Sequence, residues 1–247
     1  MPELDLFITT RIPDEEKDRL LRNGLTAEGF PLIKTVPVEF SAEEALNPAP
    51  DFVVFSSKNG VKYFFDKVSP ELLKNSKIIA VGASTARTLS RYGFTPLTPE
   101  EFSADGIVEL LKGLNVSGKT FLIVRPKVAR KKVPEFLKAS GAKVREAVVY
   151  ETATDDSKKE ELLRILERIR PNAFIAFTSP SNLKAFLKLG GERGKEALKS
   201  SKIIPIGSVT EKAIREEGFT VWKIPKVFTV SGIVECILEF ADEKGSP

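Results

Sequence analysis

The 247-residue sequence carries one half of itself twice. Phe52 to Phe65 reads FVVFSSKNGVKYFF, and Phe174 to Leu187 reads FIAFTSPSNLKAFL. Lys77 to Phe94, KIIAVGASTARTLSRYGF, returns as Lys202 to Phe219, KIIPIGSVTEKAIREEGF. Ser103 to Leu111, SADGIVELL, answers to Val230 to Leu238, VSGIVECIL. Two earlier blocks match more weakly, Asp5–Arg11 with Thr120–Arg125 and Glu28–Glu39 with Ser140–Glu151. A repeat of this kind obliges both copies to build the same supersecondary units. Here each copy reads βαβ followed by βαβαβα. By repeat alone the boundary falls near Gly118.

The strand readings rest on short apolar and β-branched runs: FVVF, KIIAVG, FLIV, FIAF and KIIPIG. Between them, apolar residues recur at helical spacing, as in Leu162, Leu163, Leu166 and Ile169. Gly93, Gly141 and Gly218 each stand just before a strand, where a helix-terminating glycine belongs. Strands that are apolar throughout, alternating with helices, point to an α/β fold with parallel sheets covered on both faces.

Composition narrows the function classes. Hydrophobic residues make up 42% and charged residues 29%, a globular balance. The net charge is only +4, with both signs interleaved, so no nucleic-acid partner is expected. The densest basic cluster is Arg125, Lys127, Arg130, Lys131 and Lys132, readable either as a solvated helix start or as an anion-binding group. A single cysteine, Cys236, forbids an internal disulfide and fits a reducing, cytoplasmic setting. The charged N-terminal region does not read as a signal peptide, and no apolar run is long enough to span a membrane. The sequence has no histidine, which removes the usual base near neutral pH and the commonest transition-metal ligand. Abundant Lys and Glu, a single methionine and no glutamine resemble a thermophile's composition.

One motif misleads. Gly113 to Thr120, GLNVSGKT, spells a phosphate loop, but a helix precedes it and a strand follows, the reverse of what phosphate binding needs. The informative positions are strand-to-helix turns. Ser56, Ser57 and Asn59 follow FVVF; Thr178, Ser179, Ser181 and Asn182 follow FIAF. Ser84 and Thr85 follow AVG, and Ser208 and Thr210 follow PIG. Such turns lie at the carboxyl ends of parallel strands, where ligands bind and helix amides favour anions. The same residue types are also ordinary N-caps. Tyr150, in VVYET, alternates with Val148 and reads equally as a core side chain or a site residue.

The blocks FSSKNGVKYF, AVGASTARTLSRYGF, ADGIVELL, SGAKVREAVVYET, FTSPSNLKAF and PIGSVTEKAIREEGF together make the chain similar to uroporphyrinogen-III synthases. The resemblance implies two similar doubly wound, flavodoxin-like lobes joined by a two-stranded connector. One lobe would be residues 1–37 with 152–247, the other 38–151. It implies a monomeric lyase of tetrapyrrole biosynthesis without metal or organic cofactor. Such enzymes cyclise linear hydroxymethylbilane to uroporphyrinogen III in the cleft between lobes, losing water and inverting ring D through a spiro intermediate. Tyr150 matches the tyrosine that assists departure of the hydroxyl. Ser57, Asn59, Thr85, Ser179, Ser181 and Thr210 match substrate-binding positions. Lys58 stands where many members have proline, and Asn59 where some carry arginine. The alternative is a non-catalytic, two-lobed intracellular sensor of a small anion.

Overall fold

A computed structural model describes residues 2–245. The elements run β1 (Leu4–Ile8), α1 (Asp14–Arg22), β2 (Ala27–Gly29), β3 (Ile33–Pro37), α2 (Ala42–Leu46), β4 (Phe52–Phe55), α3 (Lys58–Phe65), β5 (Lys77–Ala80), α4 (Ala83–Ser90) and α5 (Ala104–Lys112). They continue with β6 (Thr120–Pro126), α6 (Lys132–Ala139), β7 (Lys143–Thr154), α7 (Lys159–Leu166), β8 (Ile169–Phe177), α8 (Pro180–Lys199), β9 (Lys202–Pro205), α9 (Ser208–Glu216) and α10 (Val230–Gly245). The phosphate-loop look-alike lies between α5 and β6, in the reversed context its flanks implied.

The chain divides into two compact units, 1–34 with 153–247, and 35–152. The first holds a sheet of order β2-β1-β8-β9. The second holds a sheet of order β3-β7-β6-β4-β5. Strands β1, β2, β8 and β9 pair in parallel, as do β4, β5, β6 and β7. Isolated parallel bridges extend each sheet at matching places, Ile203 to Val221 and Ile79 to Leu97. Each sheet therefore joins the opening strands of one repeat to the later strands of the other.

Burial explains why the strands read as continuous apolar runs. In the second unit, Val53, Phe55, Leu122 and Val124 pack on one face against Val61, Phe64 and Leu89 of α3 and α4. Phe52, Val54, Phe121 and Ile123 pack on the other against Ile107, Leu111 and Leu137 of α5 and α6. Phe52 and Phe121 stack with centroids 4.5 Å apart. The first unit repeats the scheme. Phe7, Ile175, Phe177 and Ile203 meet Leu162, Leu183, Phe186 and Ile214; Leu6, Ile8, Phe174 and Ile204 meet Leu20, Ile233 and Ile237. Each fully buried side chain of this size contributes about 1.5–3 kcal/mol. Gly93, Gly141 and Gly218 have φ of +86°, +79° and +85°, the left-handed values that end α4, α6 and α9.

At the amino end of β6, the Asp51 carboxylate accepts the Thr120 amide at 2.8 Å and pairs with Lys119 at 3.3 Å. The Thr120 amide hydrogen bond is the largest cause of a pKa held below the ordinary value; desolvation opposes it, and the hydrogen bond and charge of Lys119 add to the lowering. A lowered folded-state pKa stabilises above the unfolded-state value and is lost as pH falls through the folded one. Asp51→Asn should therefore lower the melting temperature at pH 7, and the gap from wild type should close as pH drops below about 3.9, the ordinary Asp value. Thermal melts of both chains between pH 2 and 7 read this directly.

Candidate active site

Tyr150 owes its place to a break in strand pairing. Along β6 and β7, Arg125 lies opposite Val148, but Pro126 lies opposite Tyr150, leaving Val149 as an extra residue. Pro126 has no amide to continue the ladder, and Lys127 donates instead to the Tyr150 carbonyl at 2.9 Å. Such a bulge re-aims the side chain that follows it. Val149 and Tyr150 are consequently both buried. Strict alternation with Val148 does not hold at Tyr150.

The Tyr150 ring stacks on Tyr63 at 5.6 Å, so the core reading of this residue is half right. Its hydroxyl, however, is 2.9 Å from Ser57 Oγ. Ser57 is the N-cap of α3, and the same Oγ accepts the Gly60 amide at 3.0 Å. Tyr150 and Ser57 together line an open cavity of about 330 Å³ with walls from Val54, Val81, Phe102, Ile123 and Val133. Arg125 and Arg130 also line it. A larger hollow beside α5 is rimmed by Glu100, Glu101, Asp105 and Glu109 and would repel an anion.

The basic cluster is largely spoken for. Arg125 pairs with Glu146 and donates to the carbonyls of Pro126 at 2.8 Å and Lys127 at 3.1 Å, clamping the bulge. Lys127 pairs with Glu151 at 2.7 Å and Lys132 with Asp105. Lys132, with Arg130 nearby, holds the Asp105 carboxyl below its usual range. Arg130 is exposed at the cavity rim. Asn59 is half-buried in the first turn of α3 and is not part of the cavity wall. Lys58 occupies the first position of α3, as Pro180 does in α8, where proline is well tolerated.

In the other unit, Ser179 caps α8, accepting from the Asn182 amide at 3.2 Å and its Nδ2 at 3.1 Å. Asn182 Nδ2 also donates to Thr178 Oγ1 at 3.0 Å. Ser181 is exposed on the first turn. Thr85 and Thr210 are equivalent: each is buried, each the third residue of its helix. Neither they nor their serine neighbours cap. The N-caps are Gly82 and Gly207, with extended backbones and no side-chain acceptor for the first amides of α4 and α9. The capping reading thus holds for Ser57 and Ser179 and fails for Thr85 and Thr210. The glycine caps are what sequence reasoning missed; the signal was the glycine repeated in AVGAS and PIGSV.

Residues 14–235 match the family model described as uroporphyrinogen-III synthase HemD. The chain belongs to the uroporphyrinogen-III synthase family. Among relatives, a Methanocaldococcus jannaschii protein provisionally named as such a synthase is 30% identical over 234 residues, covering 91% of this chain and 95% of its own. The Chlorobaculum parvum uroporphyrinogen-III synthase is 29% identical, covering 87% and 89% respectively. The crystal structure of the Helicobacter pylori uroporphyrinogen-III synthetase shares the fold, with a TM-score of 0.68 at 23% identity over 97% of this chain and 100% of that one. The mixed α/β architecture with helix-flanked parallel sheets is thus that of the family. Its members are lyase-type enzymes of tetrapyrrole biosynthesis. Among the described residues no helix is long and apolar enough to cross a membrane.

Ser57 serves two roles that can be separated. Ser57→Ala should lower unfolding free energy by about 1 kcal/mol through loss of the cap. Combined with Tyr150→Phe in a double-mutant cycle, urea unfolding should show a coupling of about 0.5–1.5 kcal/mol for the hydroxyl pair.

Proposed function

We propose that this member of the family cyclises hydroxymethylbilane to uroporphyrinogen III, with Tyr150 assisting loss of the hydroxyl. The observation that carries the reading is the Tyr150–Ser57 pair, fixed by a bulge and a helix cap at the wall of a cavity. Ser57 Oγ already accepts from Gly60, so its own hydrogen is available to Tyr150 Oη. With Ser57 as the donor of that pair, the phenol proton is left for the substrate. The C–O bond breaks with its electron pair leaving on oxygen, and the phenol proton completes a water molecule. The pyrrole becomes an azafulvenium cation beside the phenolate left on Tyr150, and the terminal ring attacks it through its substituted carbon. The resulting spiro intermediate fragments and recloses with ring D inverted, and the proton lost from the carbon that closes the ring returns to the phenolate.

The substrate also cyclises on its own to the uninverted isomer. The protein's main task is then to hold one folded conformation, a matter of positioning. The substrate's acetates and propionates are anions. The first amides of α4 and α9, left without side-chain acceptors by Gly82 and Gly207, suit them. Thr85, Thr210, Ser179, Ser181 and Asn59 are proposed to complete these contacts. The two units are proposed to be the family's two lobes, joined where the chain passes between them at residues 34–35 and 152–153. We further propose that the protein acts in the cytoplasm as a monomer.

With enzymatically generated hydroxymethylbilane, the wild-type chain should yield predominantly the inverted isomer by chromatography. Only the uninverted isomer above background would overturn the reading, as binding without turnover would favour a sensor. Tyr150→Phe should slow formation of the inverted isomer by about 100-fold or more, the range for a positioned proton donor. Unchanged turnover would remove Tyr150 from the chemistry.

A further inference from the structure

Phe102 is 57% exposed, an uncommon setting for a ring of this size, yet the backbone that presents it is tightly built. Ser103 caps α5 by accepting the Gly106 amide at 3.0 Å, and its own amide donates to the Glu101 carbonyl at 2.8 Å. A Cβ on Gly106 would lie 2.0 Å from that carbonyl oxygen, so only glycine allows the turn to close. The other repeat makes the same turn. Thr229 Oγ1 accepts the Gly232 amide at 3.0 Å, the Thr229 amide donates to the Val227 carbonyl at 2.8 Å, and a Cβ on Gly232 would stand 2.0 Å from it. Phe228 holds the place of Phe102 and is 60% exposed.

The two rings are used differently. The Phe228 ring lies over Gly207, 3.2 Å from where a Cβ would be. The equivalent Gly82 has nothing within 4 Å of that position. Phe102 instead forms part of the wall of the Tyr150 cavity. That wall is apolar along Val54, Val81, Ile123 and Val133, while Ser57, Tyr150 and the two arginines supply its polar groups. A ligand suited to it is a small aromatic ring carrying acidic substituents. An aromatic face gains from stacking on such a ring beyond the area it covers.

We propose that Phe102 is a positioning residue that stacks on the pyrrole ring whose hydroxymethyl group meets Tyr150. The proposal rests on the cyclisation reading above. Because the pyrrole keeps its place as the C–O bond breaks, the contact strengthens ground state and transition state alike and belongs in KM. Steady-state kinetics with enzymatically generated hydroxymethylbilane should show KM raised about five- to tenfold in Phe102→Ala, with kcat within about twofold. Phe102→Tyr should restore a KM close to wild type, and melting temperatures of both variants should match wild type. A Phe102→Ala chain with unchanged KM overturns the proposal. So does a loss confined to kcat, or one accompanied by a lowered melting temperature and not restored by tyrosine. A wild-type chain that gives no inverted isomer would defeat the cyclisation reading itself; one that inverts while Phe102→Ala keeps its KM defeats this proposal alone.

Discussion

The constraint behind the rest is that the central strands of both sheets are buried on both faces. A strand such as Phe52–Phe55 has every residue inside, alternately toward α3 and α4 and toward α5 and α6. Backbone groups within such a strand are satisfied only by neighbouring strands. In β4 polar side chains are thereby displaced to the strand end, where chain leaves sheet and enters helix. Ser57, Ser179, Gly82 and Gly207 all stand at such an edge. Chemistry at the carboxyl edge follows from a core that has no room for it elsewhere.

Much of this was legible because it is local. Four-residue apolar runs announced β4, β5 and β9, and three glycines at positive φ marked helix ends. Features that depend on a distant neighbour were not legible. The bulge at Val149 is dictated by Pro126 on β6, and nothing within VVYET announces it. Ser84, Thr85, Ser208 and Thr210 looked like caps because their residue types cap elsewhere; the extended glycine one step earlier takes the role. The basic cluster looked available for anions because its partners, Glu146, Glu151 and Asp105, lie outside it in the sequence.

The repeat itself proved a better guide to parts than to their assembly. Matching blocks fold alike, down to the turns at Ser103 and Thr229. Yet each sheet takes strands from both copies, an exchange that similarity between copies cannot reveal. Where the copies differ, the difference has physical content. Tyr150 has no tyrosine counterpart in the earlier block, and the cavity forms beside it.

The exchange of strands also sets an order of events during synthesis. The unit spanning residues 35–152 is one unbroken stretch of chain and can close as soon as β6 and β7 have left the ribosome. Strands β1 and β2 emerge before it but find no partner within it. Thr9 must wait for Ala176, 167 positions later, to make its hydrogen bond. Non-local pairing of this kind is slow, and the edge of β1 that pairs with β8 is open until it ends. Strands made before that unit are therefore sheltered only after it, and the interval is written into the topology.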